Sequence, residues 1–249
     1  MRRFRHLAGQ HRTPSINRLL GGLLAFNAGA INAGGFLVVG MYTSHMTGFA
    51  SMLADNLILG NIGLLLGALG TLLAFVAGAG TTAVQVNWAR QHHLRSEYAL
   101  PLLLEAGLLL VFGLLGATLN RQTPFAVPLT VLVLAYTMGL QNAVVSKISA
   151  SQIRTTHMTG VITDLGIELG KVFYWNRTKT AADSHVRANR IKLKLYSMLL
   201  ASFMAGGVVG AAGFKYLGFI WVLPMATILL LLSLPPLHAD LMRYLRRHY

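Results

Sequence analysis

The stretch Thr43-Ser44-His45-Met46-Thr47-Gly48 decides the fold, because it returns 112 positions later as Thr155-Thr156-His157-Met158-Thr159-Gly160. Similarity at a fixed spacing is the signature of an internal repeat and takes precedence over local motifs. Upstream, Gly29-Ala30-Ile31-Asn32-Ala33 resembles Gly139-Leu140-Gln141-Asn142-Ala143 at an offset of 110. Downstream, Phe75-Val76-Ala77-Gly78 resembles Phe203-Met204-Ala205-Gly206 at an offset of 128. The second copy therefore carries a charged insertion around residues 171–190, and the halves run over about 17–119 and 125–237.

Both copies are embedded in apolar sequence. Of 249 residues, 54% are hydrophobic and only 11% are charged, against roughly 25% charged in a soluble domain. Six apolar runs, near 19–41, 62–86, 100–119, 125–145, 195–214 and 218–234, each approach the length a helix needs to cross about 30 Å of hydrocarbon. The expected fold is all-α, a polytopic membrane protein with about six transmembrane helices. Continuous runs of this kind are unlike the alternating segments of a membrane barrel. With no cysteine, disulfides, thiolate nucleophiles and thiolate metal sites are excluded.

The formal charge of +14 is distributed as a topology signal. Residues 1–18, 89–98, 171–194 and the tail hold 17 of the 21 Lys and Arg residues. A six-span arrangement with both termini cytoplasmic places all of those groups inside. It divides the chain into a basic tail 1–16, repeats 17–119 and 125–237, a basic loop 171–194 within the second repeat, and a basic tail 238–249. Basic residues that flank apolar runs, with no nucleic-acid module among them, point to anionic lipid and away from nucleic acid.

Three spans per half is an odd number, so the copies face opposite sides of the membrane, as in many secondary transporters. Segments 44–60 and 153–170 then become short broken or re-entrant helices that enter from opposite faces and meet near the midplane. Gly48 and Gly160 permit a tight bend, and the hydroxyls of Thr47 and Thr159 are placed to satisfy freed carbonyls.

Ionisable and polar groups in apolar surroundings mark the candidate site, since they usually face a bundle interior or a cavity. The acids are Asp55 after the first tetrapeptide and Asp164 and Glu168 after the second; completing helix ends or pairing with Lys171 is the bland alternative. Glu105 is expected to pair with Arg90 or Arg95. His45 and His157 suit substrate hydrogen bonding or proton sensing, against a simple helix-boundary role. They lack metal-ligand spacing, so no metal or cofactor is expected. Asn32 and Asn142, with Asn27 and Gln141, either glue helices together or line a polar path. The glycine clusters read as close helix contacts, because no Gly-Lys-Ser or Gly-Lys-Thr follows them.

Gly29 to Gly40, Thr43 to Gly48, His157 to Gly160 and the Phe-x-Ala-Gly motifs at Phe75 and Phe203 resemble the YoaK family of bacterial integral membrane proteins, a domain-of-unknown-function family. The resemblance covers about residues 15–240. It implies a bacterial inner-membrane protein of about six helices and supplies no catalytic assignment. Family members commonly carry an acidic residue after the first-helix valine and an asparagine after Met-Thr-Gly; Asn32 and Phe49 stand at those places here.

The resulting expectation is a small-solute transporter or permease, with an unidentified solute or ion, a lipid environment and room for a homo-oligomer. A non-transporting scaffold or regulatory component is the alternative, and a membrane enzyme comes third.

Overall fold

The computed structural model describes residues 14–119, 126–149, 153, 155–176 and 185–248. Most of the N-terminal basic tail, together with Arg121, Arg154, Arg177 and Lys179, lies outside the described residues. Eight α-helices account for nearly all of the described chain: α1 (Pro14–Val39), α2 (Met46–Leu59), α3 (Ile62–Gln91), α4 (Ala99–Leu119), α5 (Ala126–Ile148), α6 (Met158–Phe173), α7 (Arg190–Leu217) and α8 (Val222–His248). A 3-10 turn, Gly218–Trp221, joins the last two. Helices are the natural solution in lipid because each satisfies its own backbone polar groups.

Among the described residues, five helical stretches are long and apolar enough to cross a membrane: 15–39, 62–91, 99–116, 128–148 and 190–246. The last contains both α7 and α8. At 14 and 16 residues, α2 and α6 are too short for that list. The turn from α2 into α3 takes two residues, and Gly60 makes it possible by adopting φ +73° while its N–H caps the Asn56 carbonyl.

Helix directions follow from which residues meet. Gly22 lies beside Ser202, Gly29 on Phe203, Ala30 on Gly210 and Gly34 on Phe214, so α1 and α7 run parallel. Gly70 meets Leu132, Gly139 meets Phe75 and Thr82 bonds the Leu140 carbonyl, so α3 and α5 also run parallel. Gln141 reaches the Leu24 carbonyl while Gly35 touches Leu134, which makes α1 and α5 antiparallel. Ser96 meets Asp240 and Gly116 meets Phe219, so α4 and α8 are antiparallel. Tyr98 beside Lys147 and Phe112 beside Phe214 give α4 the direction of α1 and α7.

The two closest helix pairs are built the same way. In α1–α7, a Cβ at Gly29 would overlap the Phe203 carbonyl, and one at Gly206 would overlap the Phe26 carbonyl. In α3–α5, a Cβ at Gly139 would overlap the Phe75 carbonyl, and one at Gly78 the Tyr136 carbonyl. Gly29 and Gly139 stand at the offset of 110, and Gly78 and Gly206 at the offset of 128, so similar segments meet in both pairs. Backbone approaches of this kind need glycine because no other residue leaves the space. The buried core runs from Leu20 and Leu24 through Leu102, Leu109 and Phe112 to Leu134, Met138 and Leu229. Phe112, Phe214 and Phe219 cluster with ring centroids 5.9–6.4 Å apart at the end of the bundle where α7 gives way to the turn.

Candidate functional site

Each repeated tetrapeptide starts a short helix, and the two starts share one construction. His45 and His157 occupy the residue before the first turn of α2 and α6, and neither side chain caps that turn. Each ring instead folds back over the glycine three residues on. A Cβ at Gly48 would lie 3.2 Å from the His45 ring, and one at Gly160 only 2.6 Å from His157 Nδ1. The glycine thus gives each ring room to lie over the first helical turn.

The loop ahead of each histidine is tied to the preceding helix. Ser44 Oγ donates to Asn32 Oδ1 at 2.9 Å, and Thr156 Oγ1 donates to Asn142 Oδ1 at 2.7 Å. Beside these bonds, the buried hydroxyls of Thr43 and Thr155 have no hydrogen-bond partner among the described residues. A cavity of about 170 Å³ opens at the first bend, lined by Met41, Tyr42, His45, Gly48, Phe49 and Met52.

Asn32 lies before the last two turns of α1 and Asn142 before the last two of α5, so the Ser44 and Thr156 bonds draw each bend back along its preceding helix towards the interior of the bundle. From there α2 packs on α3 and α6 packs on α7. Thr47, Asp55, Thr159 and Asp164 are exposed on the outer faces of α2 and α6, as are His45 and His157. Asn32, Asn142, Gly48 and Gly160 are half-buried.

Glu168 has a bonded structural setting. Its carboxylate accepts from Lys171 Nζ at 2.9 Å and from the Asn189 backbone N–H at 2.7 Å, pinning α6 to the start of α7. The Lys171 bond, helped by the Asn189 N–H, holds this carboxyl below the usual glutamate range. Asn189 in turn caps α7, accepting from Ile191 and Lys192 N–H.

Glu105 departs from expectation. Arg90 turns to Glu97 at 2.9 Å and to the Tyr98 hydroxyl at 2.9 Å, and Arg95 is exposed. Glu105 is instead fully buried, with neither carboxyl oxygen hydrogen-bonded among the described residues. The Tyr98–Lys147 contact between oppositely directed helices sets Glu105 and Gln141 at similar depth, each about 10 Å along its helix. Gln141 Oε1 is buried without a partner, as are both amide atoms of Asn27, one helical turn from the Leu24 carbonyl that Gln141 contacts. Three helices thus contribute unpaired buried polar atoms to one depth zone of the bundle. The two amides were legible in the sequence as polar breaks in apolar runs. The burial of Glu105 was not, because it depends on how α4 seats against α5 and α8. Among the described residues no group of three or more His, Asp or Glu is arranged to hold a metal ion.

A family described as "Protein of unknown function (DUF1275)" matches residues 20–234. The "UPF0700 transmembrane protein YoaK" of Bacillus subtilis (strain 168) is 29% identical over 184 residues, covering 69% of this chain and 76% of that protein. No solved structure matches the chain. With its long apolar helices and a match over most of its length, this integral membrane protein belongs to the DUF1275 family, to which its likeness to YoaK also points.

Proposed function

We propose that the chain is a transporter for a small polar solute or ion, built as an inverted repeat of residues 17–119 and 125–237. On this reading α1, α3, α4, α5, α7 and α8 cross the bacterial inner membrane, while α2 and α6 begin and end on one face each. Support comes from the alternating helix directions and from the glycine contacts exchanged between the copies. Arg18, Arg90, Arg95, Arg190 and Arg243 all fall at the end of the bundle where α1 starts, which favours cytoplasmic termini.

The observation that carries transport is the buried zone of Asn27, Glu105 and Gln141. Unpaired polar atoms in a bundle interior cost several kcal/mol, on the order of 2–7 each without compensation, and a passing ion or hydrogen-bonding solute would compensate them. The two bends, tied to Asn32 and Asn142, act as gates in a rocking motion of the halves. Asn32 and Asn142 hold the gates closed, with Thr47 and Thr159 in their first turns. Gly48 and Gly160 let His45 and His157 fold over those turns, and Asp55 and Asp164 attract cations to the mouths. Glu168 keeps the second gate attached to α7.

The test is an uptake screen of inorganic ions and small metabolites in proteoliposomes, comparing wild type with Glu105→Gln, Asp164→Asn and His157→Ala. Flux in wild type that is abolished in Glu105→Gln and altered in the other two is expected. Wild-type flux that all three variants retain would remove the assigned roles. The second reading is a non-transporting membrane component. It is favoured by the position of the two cavities described, at the first bend and between α6 and α7, away from the buried zone. Absence of flux for every solute would support it.

A further inference from the structure

We propose that the cavity between the end of α6 and the start of α7 is a binding site for a phosphate-ester anion. This cavity, about 750 Å³, falls within the usual size of a small-molecule site. Arg187, Arg190 and Lys194 line it beside Lys171, which Glu168 already pairs, with Tyr174 and Asn176 between them. The three remaining cations on one concave wall repel one another unless an anion neutralises them. Guanidinium groups suit phosphate because their fork of N–H donors matches its oxygens.

The wall is preorganised. Asn176 Nδ2 donates to the Val186 carbonyl and Asn176 Oδ1 accepts from Val186 N–H, both at 3.1 Å, which fastens the end of the α6 side to the approach to α7. Glu168 holds Lys171 and Asn189 in place from below. The first turn of α7 is already capped by Asn189, so the side-chain cations, and not free helix N–H groups, supply the recognition. Tyr174 and Trp175 are exposed beside the cavity, a position typical of aromatic residues at headgroup depth. The same chemistry is offered by the headgroup of an anionic phospholipid and by a soluble phosphate compound. The inference holds whether or not the halves move a solute.

The test uses the full-length protein in phosphatidylcholine nanodiscs, with bound anions counted by native mass spectrometry. One arm adds phosphatidic acid at rising mole fraction and the other adds pyrophosphate. A saturable one-to-one complex with either probe is expected, weakened about tenfold in Arg187→Gln/Arg190→Gln. Retention of phosphatidic acid alone identifies a lipid headgroup, and retention of pyrophosphate identifies a soluble ligand. Arg243→Gln/Arg246→Gln removes the same charge from α8 and is expected to leave affinity within about threefold. Should the first variant unfold, Lys194→Gln replaces it, since Lys194 is exposed and outside the Glu168–Asn189 pin. Lack of saturable binding in both arms, or equal loss in the α8 control, overturns the proposal.

Discussion

Ser44 and Asn32 are twelve residues apart and joined by a 2.9 Å hydrogen bond that fastens the start of α2 to α1. Thr156 and Asn142 make the corresponding bond, 2.7 Å long, between the start of α6 and α5. Replacing Asn32 or Asn142 by Ala is expected to destabilise the protein by about 0.5–1.5 kcal/mol, the net worth of such a bond. Because the two bonds share no residue, the double variant should show additive losses. Reversible unfolding in mixed micelles measures this, and strong coupling between the sites would contradict that independence.

Gly29→Ala and Gly139→Ala each push a methyl group into a neighbouring backbone carbonyl, which cannot swing aside as a side chain can. Each is expected to cost about 1–3 kcal/mol through overpacking. Gly67 faces open space, so Gly67→Ala should be neutral or stabilising by up to about 1 kcal/mol through helix propensity. Thermal unfolding of the three variants in one detergent gives the comparison.

Gly160→Ala crowds the His157 ring more than Gly48→Ala crowds His45. The second copy should therefore be the more sensitive to this substitution. Adding His157→Ala removes the clash and should recover part of the loss, a coupling on the order of 0.5–3 kcal/mol in a double-mutant cycle.

The lowered pKa of Glu168 makes the α6–α7 junction acid-sensitive. A carboxyl whose folded pKa lies below its unfolded value contributes its full stability above the unfolded pKa. That contribution is lost as the pH falls through the folded value. The difference in melting temperature between wild type and Glu168→Gln should be largest near neutrality and shrink as the pH drops below the ordinary glutamate range. A difference that stayed constant with pH would assign the pin to packing alone.

Glu105→Leu replaces an unpaired buried carboxyl with a side chain suited to its surroundings. Its expected effect on stability is neutral or favourable, by up to about 1–4 kcal/mol, as when buried charges give way to apolar residues. Under the transport reading the same variant loses flux. Greater stability together with lost flux would show that the acid is retained for function, whereas a large loss of stability would assign it a structural role.

Composition alone determined the membrane setting, since 11% charged residues cannot cover a soluble surface. The long helices 62–91 and 99–119 were likewise legible as continuous apolar runs, because lipid demands length and apolarity from each span independently of its neighbours. The Gly29 and Gly139 segments, and the Phe75 and Phe203 segments, stood out as similar, but the pairing of Gly29 with Phe203 and of Gly139 with Phe75 depends on three-dimensional packing. Only the tertiary structure decided that the bends at His45 and His157 are tied back to Asn32 and Asn142, that Glu168 is a pin, and that Glu105 is buried and Arg90 turns to Glu97 instead. Those outcomes depend on which helix faces meet, and residues distant in sequence set that through close contact.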